Sequence, residues 1–97
     1  MIRYKAKVSA RAVAAVGRLP KPVALFVTRQ LEALRENPTL LSRRSHLPFA
    51  EKCQIMEFDY DHDGRRYFAT VLFQYGQDEQ TLHILDLVLD DVTTWYE

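Results

Sequence analysis

TLHILDLVL, residues 81–89, decides the fold. Apart from His83 and Asp86 it is apolar on both faces. A run of this length without clean alternation predicts a strand buried on both sides, inside a sheet rather than at its rim. A strand that arrives last in the chain and lies inside the sheet has a free side for a strand made much earlier. The rest of the sequence supplies the pieces around it.

Upstream, Cys53–Tyr60 and Arg66–Tyr75 are rich in aromatic and branched residues and predict two further strands. Asp61–Gly64 between them has turn chemistry, and Gly76-Gln77-Asp78 gives a second turn before residue 81. At the start of the chain IRYKAKVS alternates, with Ile2, Tyr4, Ala6 and Val8 on one side and Arg3, Lys5 and Lys7 on the other. That period of two predicts a half-buried strand with a basic wet face. Ser9 is placed to cap a helix carrying Ala12, Val13, Ala15 and Val16, which Gly17 ends. A second helix begins near Pro22, in the first turn, where a missing N–H costs nothing. Its apolar residues Val23, Phe26, Val27, Leu31 and Leu34 fall at helical spacing, and Asn37-Pro38 stops it. Residues 38–51 read as a loop. The expected fold is α+β, ordered β-α-α-β-β-β. A two-helix hairpin packs on one face of a small twisted, mainly antiparallel sheet, in a single domain over residues 1–97.

The 47% hydrophobic and 27% charged content fits a globular domain with one core. No apolar run is long enough for a membrane span, and MIRYKAKVS does not read as a signal peptide, so a cytoplasmic protein is expected. Cys53 is the single cysteine, which excludes an internal disulfide and a thiolate zinc cluster. Net charge is zero, but residues 1–50 hold ten Lys/Arg against two acids, and residues 51–97 hold three against eleven. Such a split hints at charged partners or, the favoured reading, at halves that a compact fold interleaves so that much of the charge pairs or sits in water; a neutral total suits poorly a protein devoted to gripping a phosphate backbone.

FDYDHDGRRYF, residues 58–68, opens like a calcium loop, with Asp59, Asp61, Asp63 and Gly64 in the D-x-D-x-D-G pattern. The full loop needs a glutamate six residues after the glycine and a helix on each side. Thr70 stands there instead, between strand-like flanks, so a hairpin tip is the better reading. Arg65 and Arg66 follow, pointing to opposite faces of a strand. They read equally as ligand-binding cations or as solvated partners of the aspartates. His46, His62 and His83 show no metal-ligand spacing. His83 on its apolar strand fits a hydrogen-bonded core histidine better than a catalyst. Trp95 and Tyr96 are either a clasp back onto the sheet, the favoured reading, or a partner contact.

The early strand YKAKVS, the helix hairpin through LRENP, the phrase LSRRSHLPF and the stretch EFDYDHDGRRYFATVLF together resemble the RelE/ParE superfamily of bacterial toxins, especially its HigB-like and phage-derived branches. The resemblance implies a toxin of a type II toxin–antitoxin pair, with a cognate antitoxin as partner and no cofactor or metal. Many relatives cut messenger RNA on the ribosome, using cations and a base on the uncovered sheet face to transfer phosphate to the RNA 2′-hydroxyl. Carried over by position, Arg65, Arg66 and Lys52 would stabilise the phosphate and His83 or Tyr96 would move the proton. Arg43, Arg44 and His46 would hold the RNA backbone. Four positions depart from the pattern. Phe68 stands where the family's sheet arginine follows the tyrosine, Asp86 where a histidine is expected, and Asp90 and Asp91 where a basic pair is expected. Two functions follow: an RNA-cleaving toxin with an altered site, or a non-catalytic member that binds an antitoxin or another protein target, as gyrase-directed relatives do.

Overall fold

A computed structural model describes residues 3–45 and 52–93. Its elements are β1 (Lys5–Val8), α1 (Ala10–Gly17), α2 (Lys21–Glu36), α3 (Pro38–Leu41), β2 (Arg43–Arg44), β3 (Gln54–His62), β4 (Arg65–Tyr75) and β5 (Thr81–Asp91). One five-stranded sheet runs in the order β1-β5-β4-β3-β2. The last strand does receive the first: β1 pairs parallel with β5, from Lys5 opposite Thr81 to Val8 opposite Ile84. The other three pairings are antiparallel. Two short elements occupy the stretch expected to be loop. Pro38 starts a single turn of helix, as α3, and Arg43–Arg44 adds to the edge of β3 as β2.

The helices cover one face. Ala12 of α1 and Val23, Val27 and Leu34 of α2 are buried against Met56, Ala69, Val71, Phe73, Leu82, Ile84 and Leu87 of the sheet. Burying the valine, leucine, isoleucine, methionine and phenylalanine side chains contributes roughly 1.5–3 kcal/mol each, and this layer is what holds the helix hairpin to the strands. Phe26 on α2 stacks on Tyr60, with ring centroids 4.1 Å apart, and meets Phe58 edge-on at 5.7 Å. The far end of α2 is tied to the chain's start. Tyr4 N–H donates to the Arg35 carbonyl at 3.0 Å, and Arg35 Nε donates to the Tyr4 carbonyl at 2.9 Å.

A bulge in β5 fixes where the helices begin. Leu72 of β4 faces Asp86 and Phe73 faces Ile84, so Leu85 is an extra residue on β5. Its carbonyl accepts the Ser9 hydroxyl at 2.7 Å. The same Ser9 oxygen accepts from the Ala12 N–H at 3.1 Å, capping α1. Thus β1 leaves the sheet at the bulge and turns directly into α1. The bulge also shifts the alternation of β5. Leu82, Ile84 and Leu87 all meet the core, while His83 and Asp86 both fall on the other side. No helix among the described residues is long and apolar enough to cross a membrane.

Candidate functional site

The face of the sheet away from the helices carries alternate residues of each strand, and the register assembles them into rows. At the β3–β4 hairpin Asp61 lies opposite Arg66. Two residues along, Asp59, Phe68 and Asp90 form one row across β3, β4 and β5. The next row is Glu57, Thr70 and Val88, and beyond it come Ile55, Leu72 and Asp86. At the other end Gln74 pairs with His83, and His83 with Lys7. Val88 is 48% exposed, while Ile55 is buried, so the uncovered part of the face centres on the Phe68 and Thr70 rows.

The hairpin tip is a two-residue turn. Asp63 and Gly64 both have positive φ, 52° and 75°, the conformation that suits the right-handed twist of two paired strands. It brings Arg65 and Arg66 to one end of the sheet, on opposite faces. Arg66 Nε donates to Asp61 Oδ1 at 2.9 Å, and Arg65 donates to Asp91 Oδ2 at 2.9 Å. Thr93 ties in the end of β5. Its hydroxyl accepts the Arg66 backbone N–H at 2.8 Å and donates to Asp91 Oδ1 at 2.5 Å. The Arg66 hydrogen bond holds Asp61 below its ordinary pKa of 3.8, and the Thr93 hydroxyl, its backbone N–H and Arg65 do the same for Asp91. Among the described residues no group of three metal-ligating side chains gathers here or elsewhere.

The residues singled out from the sequence do not form one cluster. Arg65 and Arg66 line a depression of about 290 Å³ at the tip, with Asp61, Gly64 and Thr93. His83 lies with Lys7, Gln74 and Thr81 in a different depression of about 510 Å³, beside the turn that joins β4 to β5. Eight residues of β4 separate Arg66 from Gln74, so the two places are about 27 Å apart at about 3.4 Å per residue. His83 is half-buried rather than sealed in the core. Its Nε2 sits 3.1 Å from where a Cβ on Gly76 would be, so a side chain there would press on the imidazole. Lys52 is exposed just before β3. Arg43 reaches the open face and ion-pairs with Glu57, while Arg44 pairs in the ladder with Gln54. His46, Trp95 and Tyr96 lie outside the described residues.

What the row can do follows from its charge. Asp59 and Asp90 flank Phe68 at about 5 Å on each side, one strand spacing. Among the described residues neither carboxylate has an ion pair or a hydrogen bond, whereas Asp61 holds Arg66, Glu57 holds Arg43, and Asp86 lies 3.8 Å from Arg11. Both carboxylates are exposed, and at that range in water each opposes a phosphate charge by about 1 kcal/mol or less. Giving up an exposed arginine–carboxylate pair costs only about 0–1 kcal/mol, so the paired arginines alone would not bar RNA. The two unpaired carboxylates in the middle of the face add repulsion that no arginine offsets. The sequence had flagged Phe68 and Asp90 as departures and Asp59 as a turn former. Only the strand register places the three side by side, and nothing in the sequence pointed to Thr93.

This is the RelE fold. The chain is similar to a chain of the RelBE2 toxin–antitoxin complex from Mycobacterium tuberculosis, with a TM-score of 0.68 and 14% identity over 89% of this chain and 96% of that one. It is similar to a chain of the intact E. coli RelBE toxin–antitoxin complex, with a TM-score of 0.61 and 13% identity over 87% and 93%. It also matches a doubly arginine-to-alanine-substituted E. coli toxin RelE in the free state, with a TM-score of 0.58 and 13% identity over 89% and 82%. No family model matches the chain, and no curated protein matches it in sequence.

Proposed function

We propose that this chain is the toxin half of a toxin–antitoxin pair that acts by binding protein, not by cutting RNA. The row Asp59–Phe68–Asp90 carries this reading. A nuclease of this fold needs cations where phosphate charge builds up, and the uncovered face presents unpaired carboxylates there. The antitoxin partner is supported by the similarity to chains solved within toxin–antitoxin complexes. Arg65 and Arg66 serve in this reading as the latch that joins the hairpin to the end of β5, through Asp61, Asp91 and Thr93.

The competing reading is ribosome-dependent messenger RNA cleavage, with Arg65, Arg66 and Lys52 as cations and His83 or Tyr96 as proton carriers. Inducing the chain alone in a bacterial host, and mapping the 5′ ends of cellular messenger RNA, separates the two. Growth arrest without codon-phased cuts supports the protein-binding reading. In-frame cuts that vanish in an Arg65→Ala/Arg66→Ala variant overturn it.

A further inference from the structure

The uncovered face invites the question of what chemistry would cover it. Its central row places an aromatic ring between two carboxylates that have no partner, while the other acids on that face each lie against an arginine. The ring of Phe68 is half-buried, and one row further, beside Thr70, Val88 is 48% exposed, so one apolar side chain stands next to the charged row. Asp59 and Asp90 stand two strand spacings apart, about 10 Å. A cationic head placed at the ring would therefore lie about one strand spacing, roughly 5 Å, from each carboxylate, close enough to be attracted by both and by the ring.

We infer that this face docks a cationic segment of a protein partner, with an arginine or lysine head over Phe68 between Asp59 and Asp90 and an apolar neighbour on Val88. The inference rests on the protein-binding reading and adds the chemistry of the partner to it. Two other occupants fit worse. Nucleic acid would bring phosphates against uncompensated carboxylates. A second copy docked face to face would set its own Asp59 and Asp90 against these, and like charges in contact oppose that pairing. The face thus selects a partner opposite in sign to RNA.

Two synthetic peptides test it directly against the full chain. One alternates arginine and valine over eight residues, and the other replaces each arginine by glutamate; both have blocked ends. Aromatic and amide NMR spectra are followed at about 0.15 M salt, where charges beyond about 8 Å are largely screened. The arginine peptide is expected to shift the Phe68 ring and the Asp59 and Asp90 amides in a saturable way, and the glutamate peptide to leave them unmoved. Asp59→Asn/Asp90→Asn should weaken binding by about tenfold or more, as loss of charge-assisted hydrogen bonds does. Asp63→Asn/Glu36→Gln, which changes net charge equally but lies off the row, should leave it within about twofold. Phe68→Leu, which keeps an apolar side chain but removes the ring, should cost about two- to fivefold. Equal losses in both charge variants, shifts centred elsewhere, or binding of a single-stranded RNA 12-mer to the same residues would overturn the inference. RNA cuts in cells would instead overturn the proposed function, whatever the peptides do.

Discussion

Asp59 and Asp90 lie in the same cross-strand row, one on each side of β4, with the Phe68 ring between them. Strand register alone makes them neighbours, since thirty-one positions separate them in sequence. The sign of this row bears on what the scaffold can hold, because among the described residues it occupies the middle of the sheet face away from the helices.

Reversing the sign of the row should therefore create what the chain lacks. A Phe68→Arg/Asp90→Lys variant replaces one unpaired carboxylate and one ring with two cations. Its affinity for a single-stranded RNA 12-mer, read by fluorescence anisotropy, should rise by about tenfold or more, which is roughly 1.4 kcal/mol. Unchanged affinity would mean that the row does not control RNA access.

Ser9 joins two features with one oxygen. It caps α1 through the Ala12 N–H and donates to the carbonyl that the β5 bulge leaves free at Leu85. Ser9→Ala should cost about 1–2 kcal/mol in a urea unfolding series, with an unchanged slope. A loss of only a few tenths would show that water replaces both bonds.

At Gly64 the backbone has φ +75°, and an added Cβ would meet nothing within 4 Å. Gly64→Ala should then lose about 1 kcal/mol from backbone conformation alone, with no steric contribution. Asn at the same place should recover much of it, because asparagine tolerates the left-handed region. Equal stability of all three variants would contradict a two-residue turn here.

Acid should loosen the hairpin tip and the second turn. Asp61 is held below 3.8 by its Arg66 hydrogen bond, and Asp91 chiefly by the Thr93 hydroxyl. Asp78 is held low chiefly by the Gln80 N–H, then by the Thr81 hydroxyl. Each group binds its proton more weakly when folded than when unfolded. The stability it contributes is full above its ordinary value and fades as pH falls through the lower, folded one. Carboxyl carbon NMR titration should find all three low, and Arg66→Ala should raise Asp61 towards 3.8 while leaving Asp78 unmoved. An Asp61 titration identical in both proteins would remove the ion pair from the picture.

Much of the fold is legible along the chain because local chemistry and tertiary packing agree. The apolar spacing of α2, the Ser9 cap, the Pro22 start, the Asp63-Gly64 turn and the pairing of β1 with the last strand all appear in the structure. Residues 81–89 look apolar on both faces partly because the bulge at Leu85 changes the phase of alternation halfway along β5. Periodicity has no means of announcing one inserted residue. α3 and β2 escape notice because four residues and two residues are too few to set a period. The candidate site was legible as a list of residue types but not as an arrangement. Arg66 and His83 look like members of one set in the sequence, and β4 holds them at opposite ends of the sheet. The opposite happened with Asp59 and Asp90, which only the register unites.

The most direct measurement of whether this face excludes RNA is the affinity of the unmodified chain for a single-stranded RNA 12-mer across about 0.05–0.2 M salt. A protein that neutralises Z phosphates of a single strand shows a log–log slope near −0.7Z. The expected result is no saturable binding, or weak binding with a slope shallower than about −1. Tight binding with a slope of about −3 or steeper, lost in Arg65→Ala/Arg66→Ala, would show that the face holds a phosphate backbone after all.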